Sequence, residues 1–138
     1  MSEERKTCKD LVRAHFKSRM EEVTALWAAY REDSEKQVED LGNWNEYGLS
    51  FDYVAPGTFK GQRRGYFRYQ ISWGGPSDEF RFYSDEQLGL CRVEYWYMDW
   101  FDGAKVIVGG KVLATWQDIW DDWKGCDLQK AKMEEASE

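Results

Sequence analysis

At 138 residues and a net charge of −7, the chain has the size of one domain, and its charge disfavours nucleic-acid phosphates and anionic membranes as partners. Eight Trp, eight Tyr and seven Phe bury enough area to dispense with covalent staples. The three cysteines (Cys8, Cys91, Cys126) are odd in number and lack a C-x-x-C pair, which argues against a disulfide framework or a zinc site.

In chain order, residues 1–6 are expected to be loose. Their charge is unlike a signal segment, and no apolar run approaches a membrane span, so a soluble, cytoplasmic protein is expected. Thr7 and Asp10 are spaced as a capping box. Val12, Phe16, Met20, Val23, Trp27 and Tyr30 then recur at steps of three and four, one apolar helical face. The helix is read as far as Leu41 with Gly42 as its stop, its apolar pattern thinning after Tyr30. Gly42 to Gly48 reads as a loop anchored by Trp44 and Tyr47. Leu49, Phe51 and Tyr53 alternate with Ser50 and Asp52 as a first strand, ended by a Pro56–Gly57 turn. Residues 57–65 form a glycine-rich, basic loop.

The next strand places Phe67, Tyr69, Ile71 and Trp73 on one face and Tyr66, Arg68, Gln70 and Ser72 on the other. Gly74 to Asp78 is a turn cluster. Phe80 and Phe82 then point inward, with Glu79, Arg81 and Tyr83 outward, completing a hairpin. After a turn over Ser84 to Gly89, the run Cys91 to Phe101 carries bulk on both faces: Val93, Tyr95 and Tyr97 on one, Trp96, Met98 and Trp100 on the other. Such a strand is covered on both sides or lies at an interface, which also permits a homodimer. Asp102–Gly103 reads as a tight turn and Lys105 to Val108 as a short edge strand. Val112, Leu113, Trp116, Ile119, Trp120 and Trp123 share a helical face, with Gly125 as C-cap. From Asp127 the chain is polar, a frayed helix at most. The expected fold is α+β: an antiparallel four- to five-stranded meander flanked by an N-terminal and a C-terminal helix, one domain over 1–138 with flexible tails at 1–6 and 127–138.

Candidate chemistry is sparse. His15 is the only histidine, so a multi-histidine metal site is excluded and any nucleophile–histidine pair must use it. Nothing in the sequence pairs it with a cysteine, and a helix-surface or core-edge role is preferred. Asp99 and Asp102 flank Trp100–Phe101, and Glu94 lies earlier on the same strand. Carboxylates among aromatics suit acid–base work or a ligand anchor; the competing reading makes Asp99 a strand end and Asp102 a turn former. Asp118, Asp121 and Asp122 stand at i, i+3 and i+4, a patch for a basic partner or a solvated helix face. They lack calcium-loop spacing. Arg63, Arg64 and Arg68 beside Tyr66 and Tyr69 suggest a single-strand nucleic-acid surface, but Arg68 and Tyr69 lie on opposite strand faces. The glycines match no phosphate-binding loop. Charge is uneven: residues 60–82 sum to +3, residues 83–138 to −6.

The segment GLSFDYVAPGTF, continued by GYFRYQISWGGPSDEFRFY, resembles small acidic proteins carried by phages and plasmids, and the resemblance assigns no residue a role. Ranked first is a non-catalytic, acidic protein-binding module: an inhibitor, adaptor or regulator, including the case of a nucleic-acid mimic. It would occupy the surface of a larger protein, a nucleic-acid-binding complex among the candidates. Its contacts are expected among Asp99, Trp100, Asp102, Asp118, Asp121, Asp122, Arg63, Arg64 and Arg68. No cofactor or metal is expected, and direct nucleic-acid binding is not favoured. The alternatives are a small-ligand domain with an aromatic pocket anchored by Asp99, and a hydrolase using Glu94, Asp99 or Asp102.

Overall fold

The computed structural model describes residues 6–137. Of the segment expected to be loose at the start, all but Lys6 falls outside them. The elements are α1 (Cys8–Glu32), α2 (Trp44–Tyr47), β1 (Ser50–Val54), β2 (Tyr66–Ser72), β3 (Ser77–Ser84), β4 (Leu90–Asp99), β5 (Asp102–Ile107), α3 (Gly110–Gly125) and α4 (Leu128–Ala136). The strands form one antiparallel sheet in the order β1-β2-β3-β4-β5, a five-stranded meander, and the fold is α+β as expected.

Thr7 and Asp10 close the predicted capping box, the Asp10 carboxylate accepting the Thr7 backbone N–H at 2.9 Å. α1 stops at Glu32, short of Leu41. Asp33 leaves the helical region and its carboxylate accepts the Glu35 N–H at 3.0 Å. That local bond competes with helix continuation where no apolar face remains to favour it. α3 ends at Gly125, and Cys126 is its C-cap, one residue later than expected. The stretch from Asp127, read as a tail, is helical over Leu128–Ala136, and its Gln129 side chain donates to the Trp120 carbonyl.

The helices cover one face of the sheet. Along α3, Trp116 lies 4.6 Å from Phe80 and 5.1 Å from Phe82, Trp120 5.3 Å from Phe67, and Trp123 4.5 Å from Phe51, centroid to centroid. α1 closes the other half of this inner face, with Phe16 5.6 Å from Tyr95. The predicted apolar faces of both helices and the inward set Phe67, Tyr69, Phe80, Phe82, Val93, Tyr95 and Tyr97 are all in this core.

One charged group sits inside it. Asp78 is 2 % exposed and accepts from Arg19 Nε at 2.6 Å, from Tyr95 Oη at 2.6 Å and from the Ser72 hydroxyl. Arg19 also donates to Glu22, which accepts the Tyr47 hydroxyl at 2.7 Å. The network ties α1, α2, β2, β3 and β4 together with every charge paired, the condition for tolerating buried ions. Burial, then hydrogen bonding to Asp78, pushes the Tyr95 hydroxyl far above its ordinary value.

Two registers differ from the expectation. A bulge between Gln70 and Ser72 lets β2 spend two residues where β3 spends one, so Ser72 turns to the inner face beside Asp78. Trp73, expected inside, is 78 % exposed. At the next hairpin Asp99 pairs with Asp102, so the turn is Trp100–Phe101, not Asp102–Gly103. The Asp102 carboxylate accepts the Cys8 backbone N–H at 2.8 Å, which fixes Asp102 within β5 against the start of α1. That bond holds the Asp102 carboxyl below its usual range. Among the described residues no helix is long and apolar enough to cross a membrane.

Candidate binding site on the outer sheet face

The face of the sheet opposite the helices is not bare. Period-two alternation sends Tyr66 and Arg68 from β2, Glu79, Arg81 and Tyr83 from β3, Glu94, Trp96 and Met98 from β4, and Lys105 from β5 to this side. The Arg81 guanidinium lies 4.1 Å from the Trp96 ring centroid and 4.8 Å from that of Tyr66, so one cation is held between two rings. Its Nε donates to Glu79 at 2.7 Å, and Glu79 is 3 % exposed. Arg64 and Arg92 sit over Tyr83 at 5.3 and 5.0 Å, and Lys105 lies 5.5 Å from Trp96. Arg68 makes a two-point bond to Asp52 at 3.1 and 2.7 Å.

Glu94 accepts from Trp96 Nε1 at 3.0 Å and pairs with Arg92 at 2.6 Å and Lys105 at 3.3 Å. Burial alone would raise its carboxyl; the Trp96 N–H and the two cations outweigh burial and hold it below the ordinary carboxylate value. On this face Lys60, Arg68, Arg81, Arg92 and Lys105 stand with Asp52, Glu79 and Glu94, and at its edge Arg64 shares a depression with Asp85 and Glu86. Cations slightly exceed carboxylates here, on a chain of net −7.

Over these side chains lies an open groove of about 940 Å³. The β1–β2 loop bounds it with Phe59, Lys60, Gly61 and Gln62, and the two hairpin turns bound it with Trp73, Gly74, Gly75 and Trp100. Trp100 is 82 % exposed and sits at φ 56°, in the left-handed region. Its indole lies along the neighbouring turn, where a Cβ on Gly75 would stand 3.8 Å from Trp100 Nε1.

The residues singled out from sequence are dispersed over the molecule. Trp100, Arg68 and Arg64 belong to this groove or its edge. Arg63 is exposed in the β1–β2 loop and makes no ion pair with another described residue. Asp99 and Asp102 line an adjoining open depression with Cys8, Leu11 and Tyr97 at the start of α1, and Trp100 borders both it and the groove. Asp118, Asp121 and Asp122 lie on α3 across the molecule, Asp118 pairing with Arg31 at 3.7 Å and Asp121 accepting from Gln117 at 3.0 Å. His15 is exposed and stacks on Tyr97 at 4.3 Å.

Comparison with known proteins finds no matching family model, curated sequence or solved structure. The groove therefore rests on its own geometry. Sequence reasoning missed Trp73, Glu79, Arg81 and Phe59 as site residues. The outward placement of Glu79 and Arg81 was legible, but their assembly with Tyr66 and Trp96 requires three strands in register. A bulge redirects Trp73, and a loop carries Phe59.

Proposed function

We propose that the protein is a non-catalytic binding module that holds its partner on the outer face of the sheet, with Trp73 and Trp100 as anchors. Trp100 is the observation that carries this reading. A bulky residue in the left-handed region costs about 1–2 kcal/mol, and glycine or asparagine would form the turn without that strain. The turn instead displays a solvent-exposed indole beside a second exposed indole, on the rim of a groove. Strain combined with apolar exposure is a feature of ligand clamps, and Trp is the side chain most enriched among binding hot spots.

The carboxylates support binding over acid–base chemistry. Asp78, Glu79 and Glu94, the most buried of them, are each engaged by cations. Glu94, whose carboxyl is held below the ordinary value by the Trp96 N–H and its two cations, is a poor proton donor.

The test compares the tagged protein with its Trp73→Ala/Trp100→Ala variant in capture from the native cell, reading both protein and nucleic acid. Wild type is expected to retain one macromolecule at near-equal amounts, and the double variant to lose it while melting unchanged. Retention by the double variant, or loss only on neutralising Asp118, Asp121 and Asp122, would move the contact to the acidic helix.

A further inference from the structure

We infer that the outer face takes single-stranded nucleic acid, its bases stacked on Trp73, Trp100 and Phe59 and its phosphates facing Lys60 and Arg64. The inference rests on the reading above that this face is the binding surface. Net charge argued against such a ligand, but the groove itself is lined by Lys60, Arg68 and Arg81 against the single carboxylate Glu79. Lys60 lines the groove and makes no ion pair with another described residue; Arg64, stacked over Tyr83 at the groove's edge beside Asp85 and Glu86, makes none either, and both can meet an anion.

Three features select a nucleic acid over an acidic peptide. First, the rings of Tyr66, Tyr83 and Trp96 are already engaged by guanidinium groups, whereas Trp73, Trp100 and Phe59 are exposed. Free rings at both ends of one groove suit a ligand with repeated flat groups. Second, the lining places the donors of Arg68, Arg81 and Ser77 between those rings, while Glu79, 3 % exposed, is already held by Arg81. Base edges carry acceptors that meet such donors, and flat bases stack on a guanidinium plane as on a ring, which a carboxylate side chain does not. Third, a duplex hides its base faces in its own stack, so exposed rings select single strands.

The test is fluorescence anisotropy of labelled oligo(dT) and oligo(U), each twelve nucleotides long (about the upper range of one single-strand site), against duplex DNA and poly-glutamate of similar charge. Both single strands are expected to bind, quench tryptophan emission and outcompete duplex and poly-glutamate. Trp73→Ala/Trp100→Ala is expected to weaken binding by about tenfold or more. Lys60→Glu/Arg64→Glu is expected to weaken it and to reduce the slope of log K against log salt by about 1.4, the loss of two phosphate contacts. Equal affinity for duplex, preference for poly-glutamate, or no oligonucleotide binding by a folded protein would overturn the inference. Those outcomes would leave the binding-face reading standing if the double tryptophan variant still lost its captured partner. If it kept that partner, the binding-face reading would fall as well.

Discussion

On the inner face of the sheet, Phe67, Phe80, Phe82 and Tyr95 meet other rings; on the outer face, Tyr66, Tyr83 and Trp96 meet cations. Both sets come from the same strands by the same alternation. The difference lies in what covers them. Two amphipathic helices supply Trp116, Trp120 and Phe16 to the inner face and exclude water. Among the described residues no helix covers the outer face, and its rings are roofed by Arg64, Arg81, Arg92 and Lys105, whose heads remain paired with carboxylates or open to solvent. Aromatic content alone therefore does not report core. Its partners decide whether a ring stabilises the fold or forms a surface that a ligand can use.

The comparison breaks most visibly at Trp116. It is fully buried against Phe80 and Phe82, and Trp116→Ala is expected to cost about 3–5 kcal/mol by chemical denaturation. Asp78→Ala is expected to cost less, about 1–3 kcal/mol, because it removes the acceptor of the Tyr95 and Ser72 hydroxyls and leaves the partly buried Arg19 with Glu22 alone. Removing both charges with apolar replacements (Asp78→Leu with Arg19→Met) is expected to cost much less than the two single changes summed. Additive losses would mean that the pair is not coupled. On the outer face Arg81→Ala is expected to cost about 1–2 kcal/mol, from lost ring contacts and the bond to Glu79.

Titration separates the two faces. Glu94 on the outer face has a depressed carboxyl, so its stabilisation is present above the ordinary value of 4.5 and is lost as pH falls through the lower folded value. Glu94→Gln should flatten the acid limb of a denaturation midpoint measured against pH. Tyr95 on the inner face is raised by burial and by Asp78, so its contribution is complete below the ordinary value of 10.0 and is lost as pH climbs above it. Tyr95→Phe should flatten the alkaline limb and leave the acid limb as it was.

Much of the fold was legible because local rules and tertiary packing agree. The capping box at Thr7 and Asp10, the α3 stripe and the Phe80/Phe82 alternation each follow from one short period. The misplacements occur where a non-local contact overrides the period. The bulge at Ile71 moves Trp73 from core to rim, and the Asp102 bond to Cys8 moves a turn from Asp102–Gly103 to Trp100–Phe101. Of the candidate site, Trp100 and Arg68 were visible in the sequence. The sandwich of Arg81 between Tyr66 and Trp96 joins residues far apart in sequence, which no single-strand pattern displays.

The smallest stability effect is the most telling one. Trp73→Ala is expected to shift stability by no more than about 0.5 kcal/mol, since an exposed side chain leaves no cavity. At Trp100 the sign itself is informative, because glycine relieves the left-handed strain at φ 56°. The direct measurement is the denaturant midpoint of Trp100→Gly, taken alongside its retention of the captured partner. A protein at least as stable as wild type, gaining up to about 1 kcal/mol while releasing the partner, is the expected result. A loss of more than about 1 kcal/mol with the partner still held would make the indole a structural element and contradict the binding role of this face.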